Sequence, residues 1–187
     1  MGHKIDGDVR GRGEGSSSIF YNSIIDDLFT IFHWMFLPSI ILLIMYSEMQ
    51  DNAERWVERF EVNGKRVPND VPAKETLLTF SLVSLVLYGV SAYMLWRRCG
   101  GLRKNYISLA VWEVSIIAYF VGFGIFFDTS EVAGGAAMII SCGLSVLNFI
   151  FFLQHERRGA LLQIPYIGWT FYLSFCALRI INVEEKV

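Results

Sequence analysis

The stretch Tyr106–Phe127 reads YISLAVWEVSIIAYFVGFGIFF and contains one charged side chain, Glu113. A helix needs about 20 mostly apolar residues to cross a bilayer core of about 30 Å, so this stretch predicts a transmembrane helix. Four further stretches share its length and character: Leu28–Tyr46, Leu77–Trp96, Val132–Leu153 and Ala160–Ile181. Every backbone polar group in a bilayer must be paired within the protein, and these segments are too long for barrel strands. We predict an all-α integral membrane protein, a five-transmembrane-helix bundle.

The composition agrees with a protein whose main partner is the lipid bilayer. Of the 187 residues 53% are hydrophobic and 18% are charged, and the charges cluster between the apolar stretches. The net charge is −2, and no Lys/Arg block is dense enough to indicate nucleic-acid binding. The three cysteines are widely spaced without a CxxC pair, which favours packing over metal or redox chemistry.

The chain divides into a tail, a membrane domain and a short end. We predict a disordered N-terminal tail over residues 1–27, rich in Gly and Ser, the helices over 28–182, and a C-terminal tail over 183–187. The first loop, 47–75, is the only long one, and such loops are usually functional or disordered. Its aromatic residues Trp56 and Phe60 favour packing onto the mouth of the bundle. The other connections, 97–105, 128–131 and 154–159, are short and predict an up-down bundle of antiparallel neighbours.

Basic residues are distributed unequally between the loops. Arginines 97, 98 and 103 and Lys104 lie in the second loop, Arg157 and Arg158 in the fourth, and the third has none. The positive-inside rule places the N-terminus and the second and fourth loops on one basic side, which is cytoplasmic in a bacterial inner membrane.

Several short motifs occur in a fixed order along the chain. The last stretch contains ALLQIPYIGW (160–169), the second ends in LYGVSAYMLW (87–96), and the third closes in FF (126–127). The first loop contains WVERF (56–60) and PNDVP (68–72). Together they resemble the TspO family, the translocator proteins once called peripheral-type benzodiazepine receptors. The family patterns are roughly A-x-LL-x-PYLxW, LYxxMGxAxYLVW, a closing FF, WYxxL and KPxWxPP. The resemblance covers roughly residues 30–182.

The resemblance implies a five-helix bundle that binds tetrapyrroles such as protoporphyrin, sterols and synthetic aromatic molecules in a pocket closed by the first loop. It also implies a role in transport of these ligands or in stress and mitochondrial signalling. A eukaryotic member is expected in the mitochondrial outer membrane, and family members often form homodimers. No cofactor or metal is expected, and porphyrin or haem would enter only as a ligand. The ligand-binding residues carried over are Pro68, Asp70, Pro72, Gly122, Ile125, Pro165, Tyr166, Trp169 and Leu173.

The chain also departs from the family pattern. Asp70 stands where the family has Trp between the loop prolines, Gly122 aligns with a Trp of the third helix, and Tyr119 replaces the usual Asn. The stretch Cys176–Asn182 lacks the tyrosine of the family's cholesterol-recognition segment. These departures favour an alternative, a membrane interaction protein that kept the fold and lost tetrapyrrole binding. Porphyrin breakdown, attributed in some members to pocket tryptophans, is not expected, and no catalytic motif occurs. The chain is therefore not expected to be an enzyme.

Individual residues allow two interpretations each. Trp169 either lines an apolar ligand pocket or packs in the core. Val90, Tyr93 and Arg97 fit the loose sterol pattern L/V-x-Y-x-K/R, but tyrosines near basic residues are also plain interfacial anchors. Pro165 either bends its helix or contributes to a ligand site.

The ionisable residues inside the spans include Glu113 and His33. Glu113 is expected to face protein or water, where it binds a cationic ligand or headgroup or pairs with an arginine. His33 is expected to make an interhelical hydrogen bond rather than to ligate a metal. The glycines of the third and fourth spans are expected at helix contacts, within the bundle or in a dimer.

Overall fold

A computed structural model describes residues 25–48, 74–98 and 102–184. These form five helices, each long and apolar enough to cross a membrane. We number them α1 (Ile25–Glu48), α2 (Lys74–Arg98), α3 (Leu102–Asp128), α4 (Glu131–His155) and α5 (Arg157–Glu184). No strand occurs in the described ranges. The prediction of an all-α, five-helix membrane protein is confirmed.

The helices extend beyond the predicted apolar stretches. Helices α2, α3 and α5 each begin about a turn earlier than predicted, and α2 ends at Arg98. The predicted second and fourth loops, 97–105 and 154–159, are therefore mostly helical, which corrects those bounds. The apolar residues mark only the part of each helix that lies in hydrocarbon. The helix pairs its own backbone and continues beyond that part, where charged side chains reach water.

The predicted tails and first loop fall largely outside the described residues. Residues 25–27 of the predicted tail and 47–48 of the predicted loop belong to α1, and residues 183–184 belong to α5. The remainder of the three segments, including Trp56, Phe60, Pro68, Asp70 and Pro72, lies outside the described ranges.

Helices that follow each other along the chain do not always pack together. Helix α3 packs on α4, α4 on α5, α5 on α2, and α2 on α1, while α2 and α3 have few contacts. Helix α1 meets α3 through the rings of Trp34 and Trp112, 4.9 Å apart. The order around the bundle is α1–α2–α5–α4–α3, which corrects the expectation that every short loop joins close neighbours. Bulky side chains on α3, Trp112 and Tyr119, reach α2 and keep the two backbones apart.

Glycines mark the closest helix contacts. A side chain at Gly89 of α2 would collide with the backbone of α1 at Trp34. A Cβ at Gly134 of α4 would lie 2.5 Å from the backbone of Phe126 of α3, and one at Gly122 would lie 2.9 Å from the Met138 nitrogen. Membrane helices associate largely by van der Waals packing, and small residues allow this approach. The packing role predicted for the glycines of the third and fourth spans agrees with the positions of Gly122 and Gly134, but not with that of Gly143, where a Cβ would meet nothing within 4 Å.

Candidate functional site

Three tyrosines fill the centre of the bundle. Tyr88 of α2, Tyr119 of α3 and Tyr166 of α5 are all fully buried. The rings of Tyr88 and Tyr166 stack with centroids 4.1 Å apart and planes inclined by 12°. Trp112 continues the stack on Tyr88 at 5.3 Å. The described interior is therefore occupied by aromatic side chains on three helices.

The indole of Trp169 is held by a hydrogen-bond chain between three helices. Its Nε1–H donates to the Ser81 Oγ at 2.8 Å, and that oxygen lies 2.8 Å from the Tyr119 hydroxyl. Trp169 is 8% exposed, and its ring stacks with Phe80 at 5.4 Å and with Tyr172 at 5.7 Å. These contacts fix the orientation of the ring.

A second polar chain joins α2, α4 and α5 deeper in the bundle. The Asn148 Nδ2 donates to the Tyr88 hydroxyl at 3.1 Å, and the Gln163 Nε2 donates to the Ser91 Oγ at 3.2 Å. Both amides are fully buried, and their oxygens, Asn148 Oδ1 and Gln163 Oε1, have no hydrogen-bond partner among the described residues. Because an unpaired polar group in an apolar medium costs free energy, these amides fix the register of the helices at some cost in stability.

An open cleft of about 470 Å³ lies between α2 and α5. Its lining consists of Thr76, Phe80, Pro165, Gly168, Trp169 and Tyr172. A Cβ at Gly168 would meet nothing within 4 Å, so this glycine leaves space beside Trp169. The volume falls within the range of about 300–1,000 Å³ typical of small-molecule sites, and the walls are mainly aromatic. This cleft is the candidate ligand site.

The structure brings only part of the predicted site together. Trp169 and Pro165 line the cleft, whereas Tyr166 points into the core and Leu173 is buried in it. Gly122 lies at the contact of α3 with α4, and neither it nor Ile125 lines the cleft. The loop residues Pro68, Asp70 and Pro72 lie outside the described residues.

The cleft is also lined by residues that were not predicted as site residues: Thr76, Phe80, Gly168 and Tyr172. Tyr172 lies three positions after Trp169 and therefore on the same helix face, a signal that was present in the sequence. Nothing in the local sequence of α2 indicates that Phe80 stacks on α5.

The residues of the loose sterol pattern lie at the other end of α2. Arg97 is exposed and its guanidinium donates to the Tyr93 hydroxyl at 3.3 Å. Tyr93 also stacks with Trp96 at 6.4 Å, and Val90 is half-buried. The tyrosine and arginine engage each other in the arrangement of an interfacial anchor, and sterol contact there stays a prediction.

Among the described residues Glu113 pairs with a histidine. Its Oε1 lies 3.1 Å from the Nε2 of His33 on α1, and the two side chains are 46% and 40% exposed. His33 belongs to a turn of π-helix, Phe32–Phe36, inside α1. His33 thus makes the expected interhelical hydrogen bond, and its partner is Glu113, for which we expected a cationic ligand or headgroup or an arginine.

A buried carboxylate ties α2 to the corner between α4 and α5. Glu156 lies between the two spans, is 5% exposed and forms an ion pair with Arg98. The hydrogen bond from Arg98 holds the pKa of the Glu156 carboxyl below its usual range, although burial opposes the shift. The backbone N–H of Arg158 also donates to this carboxylate at 3.2 Å. Within the described residues no group of three or more His, Cys, Asp or Glu is placed to hold a metal ion.

Comparison with known proteins gives one match. The sequence profile of the TspO/MBR family matches residues 34–182, most of the chain. No curated protein and no solved structure matches the chain.

Proposed function

Because the chain belongs to the TspO/MBR family, we propose that this integral, multi-pass membrane protein binds flat apolar ligands in the cleft between α2 and α5. The ligand classes are those expected from the family resemblance, sterols and tetrapyrroles, and the role is their transport or a signal that depends on them. The observation that carries the proposal is Trp169, oriented by Ser81 on the wall of an aromatic cleft of about 470 Å³.

The fixed orientation of the Trp169 ring supports ligand binding. A ligand that stacks on an oriented indole does not have to immobilise that side chain on binding, which lowers the entropic cost. Phe80, on the facing helix, is 56% exposed, so its ring offers a flat face on which an aromatic or ring-shaped ligand can pack. The cleft is open, and a hydrophobic ligand can enter it from the lipid.

The charge of the cleft favours one of the two ligand classes. None of its six described lining residues is charged, and the polar side chains among them are Thr76, Tyr172 and Trp169, whose N–H is bound to Ser81. A porphyrin carries carboxylates that need cationic partners or water, whereas a sterol carries one hydroxyl. We therefore propose that a sterol-like ligand binds more tightly than protoporphyrin.

Ligand-dependent shifts in the thermal unfolding midpoint of the detergent-purified protein would test the proposal. We expect a saturable rise with cholesterol, a smaller one with protoporphyrin IX, and about tenfold weaker sterol binding in Trp169→Ala, equivalent to about 1.4 kcal/mol. Trp96→Ala, at the other end of α2, is the matched control and should bind as wild type. Equal binding by both variants would remove the cleft assignment.

The filled interior favours a second candidate. In the described part of the bundle the stacked rings of Tyr88 and Tyr166 lie at the centre, and a tetrapyrrole bound there would have to displace them. A protein that kept the fold for interactions with other membrane proteins would show no specific ligand shift. It would instead co-purify with partners under mild detergent extraction.

Three further expectations stay proposals. We propose that the chain is not an enzyme, which light-dependent loss of protoporphyrin absorbance beyond a detergent blank would contradict. In a eukaryotic host we propose the mitochondrial outer membrane, testable by fractionation. A homodimer is proposed from the family resemblance, and sedimentation in detergent would test it.

A further inference from the structure

A larger cavity lies at the opposite end of α2 from the ligand cleft. It has a volume of about 850 Å³ and lies where the end of α2, the end of α4 and the start of α5 meet. Its polar wall includes Arg98, Glu156, Arg157 and Arg158, and its apolar wall includes Met94 and Leu153. None of these residues belongs to the cleft that contains Trp169.

The charges on this wall do not cancel. Glu156 is the only carboxylate of the lining, and it is already bound by Arg98 and by the Arg158 backbone N–H. Arg157 and Arg158 are exposed, and within the described part of the chain their guanidinium groups have no carboxylate partner. Among the described residues Arg157 and Arg158 are therefore left without an acidic partner, while Glu156 is paired with Arg98.

The position of the cavity indicates where its anion comes from. Arg98 ends the second span, and Arg157 begins the fifth, so the arginines lie at the level of lipid headgroups. Guanidinium groups bind phosphate oxygens in bidentate geometry, and basic pockets between transmembrane helices bind anionic headgroups. Met94 is half-buried, and Leu153 is 39% exposed. Together they provide an apolar wall suited to the glycerol and first methylene groups of a lipid, which a soluble phosphate does not have.

We propose that this cavity binds the phosphate headgroup of an anionic phospholipid from the surrounding leaflet, held by Arg157 and Arg158. The site is independent of the ligand cleft, so its test does not depend on sterol binding. A bound lipid would also bridge α4 and α5 at the corner that Glu156 joins to α2.

The test is native mass spectrometry of the full chain in detergent, titrated separately with phosphatidylglycerol and phosphatidylcholine of identical acyl chains. We expect phosphatidylglycerol to bind at least about tenfold more tightly, and the double variant R157Q/R158Q to lose about tenfold of that affinity. The affinity for phosphatidylcholine should not change. The charge-preserving variant R157K/R158K should keep most of the preference.

Two controls separate this site from general surface attraction. The variant R97Q/R179Q also removes two positive charges, but neither residue lines the cavity, so it should bind as wild type. An equal loss in this control would overturn the proposal, as would equal binding of the two lipids by the wild-type protein. Displacement of phosphatidylglycerol by equimolar glycerol phosphate would assign the site to a soluble anion and would overturn the lipid source. If R157Q/R158Q fails to fold, the wild-type affinities for the two lipids and the displacement by glycerol phosphate still test the proposal.

Discussion

At the scale of single residues, the hydroxyl groups inside the spans do more than fill space. The Ser81 Oγ accepts from the Trp169 indole and contacts the Tyr119 hydroxyl, so one small side chain joins α2, α3 and α5. In a medium without water, a buried donor that loses its acceptor has no substitute partner nearby. The orientation of the cleft tryptophan thus depends on a serine that does not line the cleft.

Replacing Ser81 should therefore affect both stability and binding. Ser81→Ala leaves the Trp169 N–H unpaired, and we expect a loss of about 1–3 kcal/mol in the free energy of unfolding together with weaker sterol binding. Thermal unfolding in detergent, with and without cholesterol, measures both effects. Ser84→Ala is the matched control, because the Ser84 hydroxyl donates only to a carbonyl of its own helix. Wild-type binding by Ser81→Ala would show that the orientation of Trp169 does not matter.

Glu156 should make the stability of the protein sensitive to acid. Its carboxyl has a folded-state pKa below the usual value because Arg98 donates a hydrogen bond to the ionised form. The resulting stabilisation is present above the unfolded pKa of about 4.3 and is lost as the pH falls through the folded pKa. Unfolding midpoints measured between about pH 6 and pH 3 should fall more steeply in wild type than in Glu156→Gln. Glu48→Gln, at the exposed end of α1, should keep the wild-type slope.

At the scale of helices, backbone contact through glycine decides which pairs pack. Gly89 lets α2 touch the backbone of α1, and Gly134 does the same between α4 and α3. Hydrophobic burial does not distinguish one helix pair from another within lipid, so shape does. The helix order around the bundle follows from where small residues face each other.

Adding a single methyl group at Gly89 should test the backbone contact between α2 and α1. Gly89→Ala places a Cβ against the Trp34 carbonyl, where backbone atoms have no rotamer to change, and we expect a loss of about 1–3 kcal/mol in unfolding free energy. At Gly143 a Cβ would meet nothing within 4 Å, so Gly143→Ala should be neutral or slightly stabilising, since alanine favours helix. Thermal unfolding of both variants in one detergent makes the comparison. Equal midpoints for the two would contradict the assigned contact.

At the scale of the whole molecule, the two membrane-facing ends of the bundle differ in charge. The corner between α4 and α5 carries the arginines of the proposed lipid site. At the opposite end, neither the last turn of α3 nor the first turn of α4 contains a basic residue. The aromatic cleft begins near Thr76, at the other end of α2 from Arg98. The proposed sterol site and the proposed lipid site thus lie toward opposite membrane surfaces.

This arrangement predicts which connections share a side. In a cysteine-free background, Thr129→Cys and Gln154→Cys place exposed labels at opposite ends of α4. A membrane-impermeant maleimide added to sealed, inside-out bacterial vesicles should label Gln154→Cys and spare Thr129→Cys, because the positive-inside rule predicts the fourth connection on the cytoplasmic side. Right-side-out vesicles should give the reverse. Labelling of both positions from one side would contradict the assignment of five crossing helices.

The five spans, the fold class and the family were all readable from the sequence alone. Each depends on properties that a local stretch carries by itself, which are apolar length and ordered short motifs. The neighbours of each helix were not readable, because glycines and bulky rings select packing partners between residues far apart in the chain. Trp169 and Pro165 were predicted as site residues on one helix, but the opposite wall with Phe80 exists only because α2 packs on α5. The pairing of His33 with Glu113 also follows only from the tertiary structure, since no local sequence pattern indicates which faces of α1 and α3 lie against each other.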